Sequence, residues 1–118
     1  MKNKVIEIPI LNDEYKVIVC WGDRKFINRV GKNYFYEDTE ICLRDKDRGT
    51  CWTNPLNHPI IVLPKSPKTP IEIGTLAHEA LHAVWNIFNK INNPNDKLND
   101  EVLGHSVGAI VRGVLKTK

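Results

Sequence analysis

The hydrophobic positions in the first half of the chain are spaced for short strands. Val5–Leu11 and Lys16–Trp21 are rich in β-branched residues, and the polar Asn12-Asp13-Glu14 between them predicts a β-hairpin. Gly49–Thr53 and Ile60–Leu63 are shorter runs joined by a segment rich in asparagine and proline, which predicts two further strands. We therefore expect a sheet built from the N-terminal part of the chain.

The second half of the chain has the spacing of amphipathic helices. Thr69-Pro70-Ile71-Glu72 has the pattern of a capping box with proline at the first helical position, which predicts a helix start. This helix should end near Asn92-Asn93-Pro94, and a second should begin at Asn99 or Asp100. The two apolar stripes are Ile73, Ala77, Ala80, Leu81, Val84, Phe88 and Ile91 in the first helix, and Leu103, Val107, Ile110, Val111 and Val114 in the second.

A shorter helix is predicted between the strands. Asp23 can cap a helix over Arg24–Val30, and Gly31 is placed to end it. Asn33–Asp47 has no clear period and suggests a loop with a short strand. With strands first and two long helices last, the sequence predicts one α+β domain over residues 1–118. Its small sheet, mixed or mainly antiparallel, should pack on the two long helices.

Composition excludes several classes of function. Seventeen Lys and Arg against fourteen Asp and Glu leave a net charge of +3, and the basic residues alternate with acidic or apolar ones. We therefore expect no nucleic-acid partner. No apolar run approaches the ~18–20 residues of a membrane helix, and the first residues lack a signal-peptide core. The expectation is a cytoplasmic protein with no membrane partner.

The three cysteines do not suggest a disulfide framework. Cys20, Cys42 and Cys51 are odd in number and form no CxxC pair, so a four-cysteine zinc site is excluded. Small buried thiols are the expected role. Zinc ligation by one of them is the alternative.

The first long helix contains a pattern that suits a metal. His78 and His82 are four residues apart and therefore stack on one helix face, where both imidazoles can bind one Zn²⁺. Glu79 lies about 100° round the helix from His78. It can reach a water whose pKa the metal has lowered and act as its general base. Surface or structural histidines on an ordinary helix are the alternative.

A catalytic zinc site needs a third protein ligand. Glu101, in the first turn of the second long helix, is the first candidate, the alternative being an acid placed for the helix dipole. His105 lies one turn further along and is the second candidate. Otherwise it would hold a ligand by a hydrogen bond, or donate a proton to the reacting group. Gly104 and Gly108 would let the two helices approach closely.

His78-Glu79-Ala80-Leu81-His82, followed by a glutamate on the next helix, resembles the zincin metallopeptidases of the gluzincin type. The pattern Asp100-Glu101-x-x-x-His105-x-x-Gly108, in so small a chain, is most similar to the small metallopeptidases of phages and prophages. The resemblance covers Ile71–Leu115. The metzincin pattern does not continue, because it requires Gly at Trp85 and His at Phe88.

The resemblance implies that His78, His82 and Glu101 bind one zinc ion per chain and that Glu79 is the catalytic base. The large two-domain gluzincins carry Asn before the third-ligand Glu and Asp four residues after it. Here Asp100 and His105 occupy these positions, so the surroundings of the ligands must differ.

The resemblance also implies that the strand before the metal-binding helix, Ile60–Leu63, lies at the sheet edge and pairs with an extended substrate. Pro59 and Pro64 at its ends are compatible with an edge, and a plain sheet strand is the alternative. Trp52 and Trp85 are expected in the core. The candidate donors to a developing oxyanion are His58, His105, Tyr34 and Tyr36.

Together these residues predict a zinc-dependent metallopeptidase that hydrolyses a peptide or protein substrate through a metal-activated water. One alternative is a catalytically weak, zinc-containing binding or regulatory module with the same fold. A further alternative is the hydrolysis of a non-peptide amide.

Overall fold

The computed structural model describes residues 2–36, 41, 43, 48–54, 56–91 and 100–117, with the side chains of Ile91, Asp100 and Glu101 outside that description. Strands come first and two long helices last, so the predicted α+β fold is confirmed. The elements are β1 (Lys4–Ile10), β2 (Tyr15–Trp21), α1 (Arg24–Phe35), β3 (Thr50–Asn54), β4 (Asn57–Val62), α2 (Pro70–Ile91) and α3 (Asp100–Thr117).

The four strands form one mixed sheet in the order β1-β2-β4-β3. β1 and β2 form an antiparallel hairpin, β2 and β4 are parallel, and β3 and β4 are antiparallel. Ile60 on β4 pairs with Ile18 on one side and with Trp52 on the other. β4 therefore lies inside the sheet, and the expectation of an edge strand at Ile60–Leu63 is wrong. In this sheet β3 is the edge strand next to β4.

Pro59 fits inside the sheet because the pairing of β3 with β4 is irregular. Asn54 pairs with Asn57 and Trp52 pairs with Ile60, so two residues of β4, Pro59 among them, face one residue of β3. A proline has no backbone N–H to donate, and such a bulge leaves a residue out of the hydrogen-bonded ladder. The proline marks a bulge in an interior strand.

Both faces of the sheet are apolar because helices cover both. Val17 and Val19 of β2 belong to the core shared with α2 and α3, whereas Ile18 and Cys20 belong to the core shared with α1. All four side chains are fully buried. A strand covered on both faces is expected to be a continuous apolar run, as β2 is.

α1 begins where the sequence predicts and ends later. Asp23 accepts a hydrogen bond from the Phe26 N–H at 2.8 Å and caps the helix. The predicted end at Gly31 is wrong, because the helix continues to Phe35. Burial of Phe35 offsets the cost of about 1 kcal/mol for a glycine inside a helix. The loop and short strand expected after this helix lie largely outside the described residues.

α2 and α3 begin as predicted. The Thr69 hydroxyl accepts from the Glu72 N–H at 3.2 Å, and the Glu72 carboxylate accepts from the Thr69 N–H at 2.9 Å, so the capping box is formed. α3 begins at Asp100. Within the described ranges, no helix combines the length and the apolar character needed to cross a membrane.

α3 packs closely on the sheet at Gly113, whereas the sequence predicted close helix contacts at Gly104 and Gly108. A Cβ on Gly113 would lie 3.1 Å from the Cδ1 atom of Ile8 on β1. At Gly104 a Cβ would meet no described atom within 4 Å, and at Gly108 it would meet only Arg112. Among the described residues, Gly104 and Gly108 are therefore not sites of close helix contact.

Candidate metal centre

α2 places two imidazoles close enough to share one ion. The Nε2 atoms of His78 and His82 are 3.1 Å apart. Their ring centroids are 4.7 Å apart and the ring planes are inclined by 82°. Two nitrogen ligands of a tetrahedral zinc ion, each ~2.0–2.1 Å from the metal, are separated by about 3.3 Å. The pair therefore has the spacing and donor chemistry of two zinc ligands.

Glu79 completes the group from a buried position. Its Oε1 atom lies 3.9 Å from the Nε2 atom of His78, and one ligand atom from each of the three residues lies within 4.8 Å of the others. The Glu79 side chain is 10% exposed, whereas that of His78 is 66% exposed. The carboxylate is thus buried, whereas the two imidazoles are exposed to solvent.

Gly49 allows β3 to approach this part of α2. A Cβ on Gly49 would lie 2.9 Å from Thr75 Cγ2, 3.2 Å from Leu63 Cδ2 and 3.4 Å from Glu79 Cγ. The backbone before β3 therefore packs directly on the helix turn that carries Glu79. Sequence analysis did not single out this glycine, although an isolated glycine beside a strand often marks close backbone approach.

Two cavities lie along the junction of this segment with α2. One, of about 440 Å³, is mainly polar and is lined by Thr50, Cys51, Thr53, Glu79, His82, Trp85, Asn86 and Asn89. The other, of about 360 Å³, begins one turn before Glu79 and is mainly apolar, with Arg48, Leu63, Pro64, Lys65, Pro67, Thr69, Ile71, Glu72 and Thr75 around it. Gly49 packs against Glu79, which lines the first cavity, and against Thr75, which lines the second. The candidate site therefore has a polar side and an apolar side.

The candidate third ligands lie on α3. Glu101 is in the first turn of this helix, and its side chain is outside the described part of the structure. His105 is exposed and does not belong to the group formed by His78, Glu79 and His82. The structure thus brings together the three residues of α2. The roles of Glu101 and His105 stay predictions.

The other candidate oxyanion donors lie elsewhere. Tyr34, Tyr36 and His58 line a cavity of about 520 Å³ that contains no residue of the metal group. The Tyr34 hydroxyl donates to Glu7 at 3.2 Å, and His58 Nδ1 accepts from the Lys16 N–H at 3.3 Å. Burial, followed by the charge of Lys16, lowers the pKa of His58. Tyr34 and His58 therefore have structural partners of their own, and Tyr36 is exposed.

Of the described cysteines, Cys20 is a buried thiol, as expected, and Cys51 is partly buried. Cys20 and Cys51 are free, and neither belongs to the metal group. Burial raises the pKa of both to about 12, with the charge of Glu79 adding to the effect at Cys51. Cys42 lies outside the described residues.

The two tryptophans expected in the core, Trp52 and Trp85, differ in environment. Trp52 is half-buried against the core beneath α1, as expected. Trp85 is 56% exposed, so its assignment to the core is wrong. It lies one turn after His82 on α2. This exposed ring borders the polar cavity.

Comparisons with protein-family models, curated proteins and solved structures find no match to this chain. The class of protein is therefore defined by its fold and site alone. It is an α+β protein with a possible metal-binding His-Glu-His group on its first long C-terminal helix.

Proposed function

We propose that this protein is a zinc-dependent metallopeptidase whose centre is His78, Glu79 and His82. The observation that carries the proposal is the 3.1 Å separation of the two Nε2 atoms, with a buried carboxylate 3.9 Å from one of them. At this distance the two exposed imidazoles can share a hydrogen bond when one nitrogen carries a proton, and when both nitrogens are unprotonated they can bind one ion together. A metal ion gives this arrangement a physical reason.

In this proposal each residue of α2 has a separate role. His78 and His82 bind the metal through Nε2, and Glu101 is the third ligand. Zinc, when bound, supplies a Lewis acid for the scissile carbonyl and lowers the pKa of a water. Glu79 would take a proton from water at a carboxylate oxygen as the water oxygen adds to the scissile carbonyl carbon, and it would pass that proton to the amine nitrogen as the C–N bond breaks.

We propose β3 as the strand that binds an extended substrate. It occupies the sheet edge beside the metal group, and among the described residues no strand pairs with its outer side. An extended peptide can add to such an edge through backbone hydrogen bonds. This assigns to β3 the role that the sequence resemblance suggested for Ile60–Leu63.

Metal content is the first test. Untagged protein purified without chelator should contain about one zinc ion per chain by inductively coupled plasma mass spectrometry. The double variant His78→Ala, His82→Ala should contain none. If neither protein takes up zinc when the folded chain is supplied with it, the proposed centre does not exist.

The Glu79→Gln variant separates catalysis from metal binding. Glutamine has a similar shape but cannot accept the proton, so the variant should keep its zinc and lose turnover of a peptide library. Residual turnover above a few per cent would contradict the general-base role. If the zinc-loaded wild-type protein cleaves no peptide, the chain is better described as a zinc-containing binding module.

The third ligand is tested by zinc affinity. Loss of a group that merely orients a ligand typically lowers metal affinity ~10–100-fold, and loss of a ligand should cost more. We therefore expect Glu101→Gln to weaken zinc binding by more than about 100-fold, and His105→Gln to weaken it less. The reverse order would assign the third ligand to His105.

A further inference from the structure

Asn86 has an unpaired polar atom beside the candidate centre. Its Oδ1 atom is buried and has no hydrogen-bond partner. The same side chain lines the polar cavity between β3 and α2. An acceptor shielded from water without a donor is unfavourable, and such groups in folded proteins call for an explanation. A hydrogen-bond donor on a ligand bound in the cavity would explain the unpaired oxygen.

Asn86 and Glu79 lie on the same side of α2. They are seven residues apart, which is nearly two full helical turns and corresponds to about 10.5 Å along the axis. Both line the cavity that β3 borders. Residues of β3 and of α2 line this cavity together, so a peptide extended along it would follow α2. At about 3.3 Å per residue, it would cover the distance from Glu79 to Asn86 in about three residues.

The carboxamide of asparagine matches a peptide unit. It offers one acceptor oxygen and two N–H donors, and a peptide unit offers one of each. The Asn86 side chain lines the cavity, and rotation about χ2 of asparagine is broad, so the carboxamide can reorient to meet a ligand there. Thr50, Thr53 and Asn89 make the surrounding wall polar. The cavity is therefore suited to peptide backbone, whereas the apolar cavity before Glu79 is suited to an apolar side chain.

We propose that the Asn86 carboxamide binds a peptide unit of an extended substrate, about three residues from the scissile bond. This inference rests on the proposed peptidase function. It narrows the substrate class to chains that extend at least three residues on one side of the cleaved bond, and it excludes small non-peptide amides. Asn86 is then a specificity-determining residue, remote from the bond that breaks.

The test combines a variant with shortened substrates. Zinc-loaded protein is incubated with an equimolar library of tetradecapeptides, and cleavage sites are mapped by mass spectrometry. The best substrate is then shortened one residue at a time from each end. For the wild-type protein, removal of the third residue on one side should lower kcat/KM about tenfold, the loss of one hydrogen bond to a buried group.

The Asn86→Leu variant should have about tenfold lower kcat/KM for the full-length peptide and should be insensitive to that truncation. Leucine has a similar volume and removes an unpaired buried acceptor, so the variant should fold and bind zinc normally. Asn89→Leu changes an exposed residue of the same cavity and should retain the wild-type sensitivity. Equal sensitivity of the wild-type protein and Asn86→Leu to truncation would overturn the proposal.

A second experiment applies if the protein has no peptidase activity. If the wild-type protein cleaves none of the library, the same peptides are added to ¹⁵N-labelled Glu79→Gln protein and the Asn86 side-chain amide is followed by NMR. A shift of this signal that is absent from Asn89 supports peptide binding by Asn86 in a protein without peptidase activity. An unchanged Asn86 signal overturns the inference as well.

Discussion

Neighbouring side chains on α2 have different environments because consecutive residues of a helix are separated by about 100°. His78 is exposed on the outer face, and Glu79 is buried against the segment that leads into β3. This difference suits the proposed roles, metal binding by the histidines and proton transfer by Glu79. The imidazoles are accessible to an ion from solvent, and the carboxylate is held in a fixed position by packing.

At this scale, Gly49 is expected to control the position of Glu79. In Gly49→Ala the new methyl group would lie 2.9 Å from Thr75 Cγ2 and 3.4 Å from Glu79 Cγ, so the helix turn or the strand must shift. We expect about 1–3 kcal/mol lower stability from overpacking. Turnover should fall about tenfold or more, because catalysis is sensitive to small displacements of a catalytic group. Zinc content should not change.

Gly74→Ala is the matched control for Gly49→Ala. It adds the same methyl group to α2, where a Cβ would meet no described atom within 4 Å. Alanine is favoured over glycine inside a helix by about 1 kcal/mol, so this variant should be more stable than the wild-type protein. Urea unfolding and a peptide-cleavage assay measure both effects. Unchanged turnover in Gly49→Ala would show that the contact does not position Glu79.

At the scale of elements, the start of α2 is stabilised by Glu72. Its carboxylate accepts hydrogen bonds from the N–H groups of Thr69 and Lys68 at 2.9 and 3.0 Å, and Lys65 lies 3.1 Å away. These backbone bonds first, and Lys65 next, lower the pKa of Glu72 to about 2. Because the ionised form is the one that caps the helix, its contribution to stability depends on pH.

We expect the stabilising effect of Glu72 to disappear in acid. In the unfolded chain its pKa returns to the ordinary value of 4.5, so the contribution is complete above that pH and is lost as the pH falls towards about 2. The difference in unfolding free energy between the wild-type protein and Glu72→Gln should therefore be largest at neutral pH and shrink in acid. Urea titrations at several pH values measure it.

Glu14→Gln is the control for Glu72→Gln, because it removes the same charge in the exposed turn between β1 and β2. A difference between Glu72→Gln and the wild-type protein that stayed constant from neutral pH to pH 2 would contradict the capping role of the carboxylate.

At the scale of the whole molecule, zinc should stabilise the fold. A ligand that binds only the folded state at 100 times its Kd adds about 2.7 kcal/mol. For a chain of 118 residues this corresponds to a rise in Tm of roughly 10 °C. Differential scanning calorimetry with and without chelator measures the shift.

The metal-site variants should differ in their zinc-dependent shift in Tm. Glu79→Gln should show the full zinc-dependent shift, because it keeps both imidazoles. The double variant His78→Ala, His82→Ala should melt at the same temperature with and without zinc. A zinc-dependent shift in the double variant would place the metal at another site.

Local features of the sequence were sufficient to predict most elements. The capping box at Thr69 and Glu72, the Asp23 cap and the β-branched runs of β1 and β2 depend on neighbouring residues, and the structure confirms them. The end of α1 could not be predicted in this way. Gly31 is a local signal to stop, but burial of Phe35 against the sheet is a tertiary interaction that outweighs it.

The sequence by itself determined the α+β order of elements and the pairing of His78 with His82, because helix periodicity places residues four apart on one face. Only the tertiary structure decided that β4 lies inside the sheet, that β3 is the edge beside Glu79, and that Trp85 is exposed. It alone brought Gly49 against Glu79 and buried the Asn86 oxygen without a hydrogen-bond partner. These outcomes depend on which strands pair and which helix faces are covered, contacts between distant segments that no local pattern encodes.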